Sequence, residues 1–200
     1  LVGSEMCIRD RSMTMTNQTA LLVMDMQKGI ADNVPQINSL IKANQRAIEA
    51  ARAHQIPVVF MRIALEKNFA DVSPHNRVFS SFKQRGISMT EDDAFAQILE
   101  ELEPAEDEPI MTKRRFSAFT GSGLEVFLNA NQINHLVLTG ISTSGVVLST
   151  ALEAADKDYQ ITVLEDAVGD RSDDKHDFII EQILNRSCEI ESVESWRNHL

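Results

Sequence analysis

Hydrophobic and polar positions along the chain alternate between two kinds of segment. TALLVMDMQ (19–27) is a continuous apolar run that ends at Asp25. Such runs suit strands buried on both faces, as in parallel sheets. Residues 35–55 follow with apolar positions at Ile37, Leu40, Ile41, Ala47, Ile48 and Ala51, a helical spacing broken on that face only by Asn44. IPVVFMRI (56–63) reads as a second buried strand. Residues 64–90 show weak periodicity and turn formers, which predicts a long loop with one short helix at most. EDDAFAQILEEL (91–102) reads as a helix and PIMTK (109–113) as a short third strand. An amphipathic helix over 121–132 leads into a fourth strand, INHLVLTG (133–140). A helix over 144–158, a fifth strand over 159–167 and a helix over 172–187 opening on Ser172 come next. CEIESVESW (188–196) closes as a strand. Strands alternating with helices predict an α/β fold, a doubly wound sheet with right-handed crossovers.

In such sheets ligands bind beyond the carboxyl ends of the strands. That rule singles out Asp25, Arg62, Lys113, the turn from Ser142 to Val146, and Asp166. A carboxylate at the end of a buried strand is partly desolvated, which raises its pKa, and a nearby cation lowers it again. Lys113 is a candidate for that cation. The pair then serves either as a proton shuttle or as a structural ion pair between two strand ends. In TGISTSGVVLST (139–150), small hydroxylic residues separate a strand from a helix. The free amides at such a helix start suit an anion or oxyanion, while Ser142, Thr143 and Ser144 equally suit helix capping.

Composition narrows the function classes. A chain of 200 residues with 43% hydrophobic content can build one domain with a proper core. A net charge of −11 speaks against nucleic acid and anionic membrane surfaces. No run approaches the roughly 18 apolar residues that cross a bilayer. Cys7 and Cys188 lie far apart, which suits a reducing cytoplasm and gives no disulfide framework. The chain has no P-loop, dinucleotide fingerprint, GxSxG elbow or HExxH motif. The five histidines are scattered and read as surface or packing residues. LVGSEMCIRDRS (1–12) lacks the apolar core of a signal peptide and does not read as part of a fold. The expectation is a disordered or non-native extension over 1–18, a natural start at Met13 or Met15, and one domain over 19–200.

The motifs ALLVMDMQ (20–27), IPVVFMR (56–62), TKRRFSAFTGSGLEVFL (112–128) and INHLVLTGISTSGVVLSTALEAADKDYQITVLEDA (133–167) together resemble the isochorismatase-like hydrolase superfamily, also called the cysteine hydrolase family. The resemblance covers nearly everything after residue 18. It implies a six-stranded parallel sheet with helices on both faces. It also implies an Asp–Lys–Cys triad, whose Asp falls on Asp25 and whose Lys falls on Lys113. The family Cys lies six residues after the glycine that ends strand four, and here that position is Val146. Thiol attack and a covalent intermediate are then closed.

The resemblance further implies a cis Ile141–Ser142 peptide, with the Ser142 and Val146 amides as an oxyanion hole. Gln27, Arg62, Phe116 and Phe119 would shape the substrate pocket. One branch of the family, the true isochorismatases, also lacks the Cys and uses its Asp as proton donor to a vinyl ether. The Asp-x-His metal motif of nicotinamidases is missing, so no metal and no cofactor are expected. Family members are often dimers or larger, which implies a homo-oligomer. Two readings follow. One is a small-molecule hydrolase that works by Asp/Lys acid–base chemistry without a thiol. The other is a catalytically silent relative that binds a small molecule or a partner in the same cleft.

Overall fold

The computed structural model describes residues 18–200. Cys7, Met13, Met15 and the proposed extension lie outside the described residues, apart from Gln18. Six strands form a single parallel sheet: β1 (Thr19–Met24), β2 (Val58–Ile63), β3 (Ile110–Lys113), β4 (His135–Ile141), β5 (Gln160–Gly169) and β6 (Glu189–Glu191), in spatial order β3-β2-β1-β4-β5-β6. The chain winds outward from β1 to β3, returns to the centre at β4 and winds outward again. The winding therefore reverses between β1 and β4, the position where such sheets open a crevice at the strand ends.

Among the described residues seven α-helices connect and cover the sheet: α1 (Lys28–Ala31), α2 (Ile37–Ala53), α3 (Arg77–Gln84), α4 (Leu124–Ala130), α5 (Leu148–Asp156), α6 (Asp173–Phe178) and α7 (Val193–Asn198). Alternate residues of each strand point to opposite faces. Leu22 and Met24 of β1 thus join the core under α4 and α5, and Leu21 and Val23 join the core under α2 and α7. Both sets are fully shielded, which is why β1 reads as unbroken apolar sequence. A smaller cluster of Ile63, Leu65, Phe79 and Met89 packs beside α3.

Several expected elements differ, two of them in kind or extent near the sheet. Residues 91–102 are not one helix but two 3-10 turns, Ala94–Ala96 and Glu100–Leu102. Between them Ile98 pairs with Gln27, the Gln97 carbonyl accepts from the Lys28 amide at 3.0 Å, and the Leu99 amide donates to Met26 at 2.9 Å. Pairing with the end of β1 takes the backbone groups a helix would need. At the C-terminus the strand covers only Glu189–Glu191. Ser192 then accepts from the Ser195 amide at 3.0 Å and caps α7, which seats Trp196 in the core.

Asn44, the polar residue on the apolar face of α2, has a local cause. Between Leu138 and Gly140 the β4–β5 register shifts, from Leu138↔Val163 to Gly140↔Val168. One residue of β4 therefore faces several of β5, and carbonyls in that bulge leave the ladder. Asn44 Nδ2 donates to one of them, Ala167, at 3.0 Å, and to Leu40 at 2.9 Å, from a fully buried position. Asn44→Leu strips a buried carbonyl of its partner. It is expected to lower stability by about 1–3 kcal/mol in urea unfolding with an unchanged m-value.

Candidate functional site

Asp25 is the first residue beyond β1. Its backbone adopts φ +56°, a left-handed conformation that Asp tolerates better than most side chains. The Asp25 amide donates to Met61 at 2.9 Å, so the turn stays tied to β2. Lys113 ends β3 and is 1% exposed. Its Nζ lies 2.9 Å from Asp25 Oδ2 and donates to the Arg115 carbonyl at 2.8 Å. Asp25 Oδ1 is buried and has no hydrogen-bond partner among the described residues.

Burial dominates the titration of both groups. It pushes the Asp25 carboxyl up to about 6, although the Lys113 charge and hydrogen bond pull the other way. Burial likewise lowers the Lys113 ammonium below the ordinary lysine range against the opposing pull of Asp25. The site thus holds a carboxyl that exchanges its proton near neutral pH, beside a cation that has little solvent of its own.

The turn after β4 reaches the same place. Gly140 has φ +129°, and a Cβ there would collide with the Met24 backbone, so only glycine lets β4 approach the end of β1 this closely. The Ile141–Ser142 peptide is cis. Residues Thr143–Val147 form one π-helical turn that runs into α5. The Ser142 carbonyl accepts from the Gly145 and Val147 amides at 3.1 and 3.2 Å. Among the described residues the Ser142 amide donates to nothing, and the Val146 amide donates to nothing outside its own turn.

The hydroxyls of this turn do not cap the helix. Ser142 makes no side-chain cap hydrogen bond. Thr143 Oγ1 lies 2.7 Å from His176 Nδ1 of α6, and Ser144 donates from both Oγ (2.5 Å) and its amide (2.9 Å) to Asp170 Oδ2. Burial raises Asp170, but the bonds from Ser144, Arg171 and Ser172 outweigh it and hold the carboxyl below its usual range. These bonds tie the π-turn to the loop that follows β5.

Asp25, Lys113, Ile141, Ser142, Val146 and Phe116 all line one cavity of about 480 Å³, a size suited to a small organic ligand. The Val146 side chain is 2% exposed and offers no polar atom. Three residues expected in the pocket lie elsewhere. Arg62 donates to Thr112 Oγ1 at 3.1 Å and approaches Glu91 at 3.9 Å. Phe119 stacks at 6.0 Å on Tyr159 under Lys157, on the α5 side. Gln27 is fully buried and braces the wall from behind: its Nε2 donates to Ile63 and Phe95 carbonyls at 3.0 and 3.1 Å, and its Oε1 accepts from the Ile63 amide at 2.8 Å.

Asp166 also moves out of consideration. The fifth strand runs on to Gly169, so Asp166 sits within it and accepts from the Val193 amide at 2.9 Å. Asp170 takes the strand-end position, and Arg171 and Lys175 join it in the lining. The apolar continuation VG after LEDA is the sign in the sequence. The cavity wall from α3 and its neighbours, with Phe79, Phe82 and Phe95, had no sequence signature.

Among the described residues no helix is long and apolar enough to cross a membrane. The isochorismatase domain model matches residues 19–195. The chain is 29% identical over 184 residues to an N-carbamoylsarcosine amidase from Arthrobacter sp., covering 90% of this chain and 70% of that one. It is 31% identical over 173 residues to the ureidoacrylate amidohydrolase RutB of Yersinia enterocolitica, with 76% and 75% covered. Among solved structures, an isochorismatase family protein from Burkholderia thailandensis superposes with a TM-score of 0.78 at 28% identity, covering 90% of this chain and 94% of that one. A fold wound about β1 and β4, and a match that spans almost all the described residues, place the chain in the isochorismatase family.

Proposed function

We propose that this protein hydrolyses a small molecule in the cavity at the ends of β1, β3 and β4, with Asp25 as general acid–base and no thiol nucleophile. The observation that carries the proposal is Asp25 Oδ1. It belongs to a carboxyl that titrates near 6 and lines the cavity, and it has no partner among the described residues, while Oδ2 is held by Lys113. A buried polar atom without a partner is rare and suits one that awaits a ligand.

In this reading Asp25 passes its proton from Oδ1 to the substrate. Water attacks the activated carbon as the scissile bond breaks, and its proton returns to the carboxylate. Lys113 offsets the charge on Asp25 while the proton is away. The Ser142 amide, which donates to nothing among the described residues, and the Val146 amide, which donates to nothing outside its own turn, are the donors nearest a developing oxyanion. Val146 stands where the family resemblance implies a cysteine, which removes covalent thiol chemistry from that position. Relatives named as amidohydrolases support hydrolysis as the reaction class.

The test is turnover of a panel of vinyl ethers, esters and amides. Asp25→Asn is expected to lower kcat/KM by about 10²–10⁴-fold. Equal turnover by the variant overturns the assignment of Asp25 as the acid–base group. Because the acid form is required, kcat/KM should fall as pH rises through about 6. Lys113→Met removes the cation that lowers the Asp25 pKa. The carboxyl resonance, followed by NMR, should then titrate above 6, and the falling limb of the pH profile should move up with it. Val146→Cys places a thiol in the π-turn that runs into α5, beside the Ser142 amide. It is expected to gain amide hydrolysis that iodoacetamide abolishes, while wild-type turnover resists the reagent.

A further inference from the structure

We infer that the ligand of this cavity is a monocarboxylate with an apolar or aromatic body, and that Arg171 and Lys175 read its carboxylate. The inference concerns the occupant of the site proposed above and rests on that cavity being the substrate pocket.

The lining divides by chemistry. One part is built of rings. Phe116 lies 5.3 Å from Phe79, Phe79 lies 6.1 Å from Phe82, and Phe82 lies 6.1 Å from Phe95. Ile30, Ile87 and Met89 fill in beside them. Gly29 is part of this wall because a Cβ there would collide with the Phe95 ring. A ring ladder of this kind offers area to an apolar body and nothing to an anion.

Another part of the lining is charged. Around this one cavity an acidic chain places four cations, Arg85, Lys113, Arg171 and Lys175, and two carboxylates, Asp25 and Asp170. Lys113 is engaged by Asp25. The Arg85 guanidinium lies over the Phe82 ring, 4.9 Å from its centroid. The Asp170 carboxylate accepts from Ser144 through Oδ2 and from the Arg171 amide through Oδ1. The Arg171 and Lys175 head groups have no ion pair and no side-chain hydrogen bond among the described residues, although Asp173, Asp174 and Asp177 stand on the same short helix as Lys175.

Two unmatched cations beside a ring-lined hollow suit an anion tethered to an apolar body. Asp170 offsets one of the two charges, so Arg171, Lys175 and Asp170 together leave one positive charge for one carboxylate to neutralise. Arg171 offers a planar fork that matches a carboxylate, and Lys175 offers a point charge.

Binding of non-hydrolysable probes to the wild-type chain tests this by calorimetry, without reference to turnover. 3-Phenylpropanoate is expected to bind roughly tenfold or more tightly than 3-phenylpropanamide, which lacks the charge, and than propanoate, which lacks the ring. Arg171→Gln and Lys175→Gln should each weaken the acid severalfold and leave the amide unchanged. Asp25→Asn should still bind the acid, so loss of catalysis alone leaves this result standing. Equal binding of acid and amide, no binding of either, indifference to both substitutions, or tighter binding of phenyl phosphate overturns the inference.

Discussion

The buried contact between Asp25 and Lys113 is the constraint around which this end of the molecule is arranged. Taking two charges out of water costs several kcal/mol per ion, and their attraction recovers that only when the geometry is good. Here the geometry comes from the sheet. β1 and β3 flank β2 in one parallel register, so their carboxyl ends lie side by side. Asp25 turns out of β1 at positive φ and Lys113 reaches back from β3. The compromise is incomplete, and the incompleteness is chemically useful. Desolvation moves the two pKa values toward each other, so a proton is exchanged at a pH where an ordinary aspartate would have lost it.

Around that pair the fold supplies rigidity from several strands at once. The π-turn after β4 is tied to the β5–α6 region through Thr143–His176 and Ser144–Asp170. Gln27 ties the end of β1 to β2 and to the loop that carries Phe95. Gly140 allows β4 to touch β1. Each tie joins segments distant in sequence, and together they hold the cavity open against the packing of two cores.

Some of this was legible in the residues. The unbroken apolar runs of β1, β2 and β4 announced a parallel sheet, because strands covered on both faces have no polar side to display. Asp25 and Lys113 could be picked out because each is polar immediately after such a run. Phe116 stands three residues after Lys113, and its ring reaches the cavity. Phe119 belongs to the same stretch. Three residues further along, its ring instead covers Tyr159 on another face. Sequence nearness does not set side-chain direction. The hydroxyls of 142–144 read locally as caps, and their bonds run instead to His176 and Asp170, partners that no local pattern names.

The order of strands and helices, the apolar faces that drive them together and the polar residues at strand ends follow from the sequence alone, since all depend on spacing along the chain. Whether residues 91–102 coil or pair, whether Asp166 or Asp170 ends the fifth strand, which phenylalanines form a wall and which cations lack a partner were decided only by tertiary structure. Those outcomes depend on hydrogen bonds and charges contributed from more than one segment. A backbone amide offered Met26 across a gap, or a guanidinium with no carboxylate in reach, is a property of an arrangement in space.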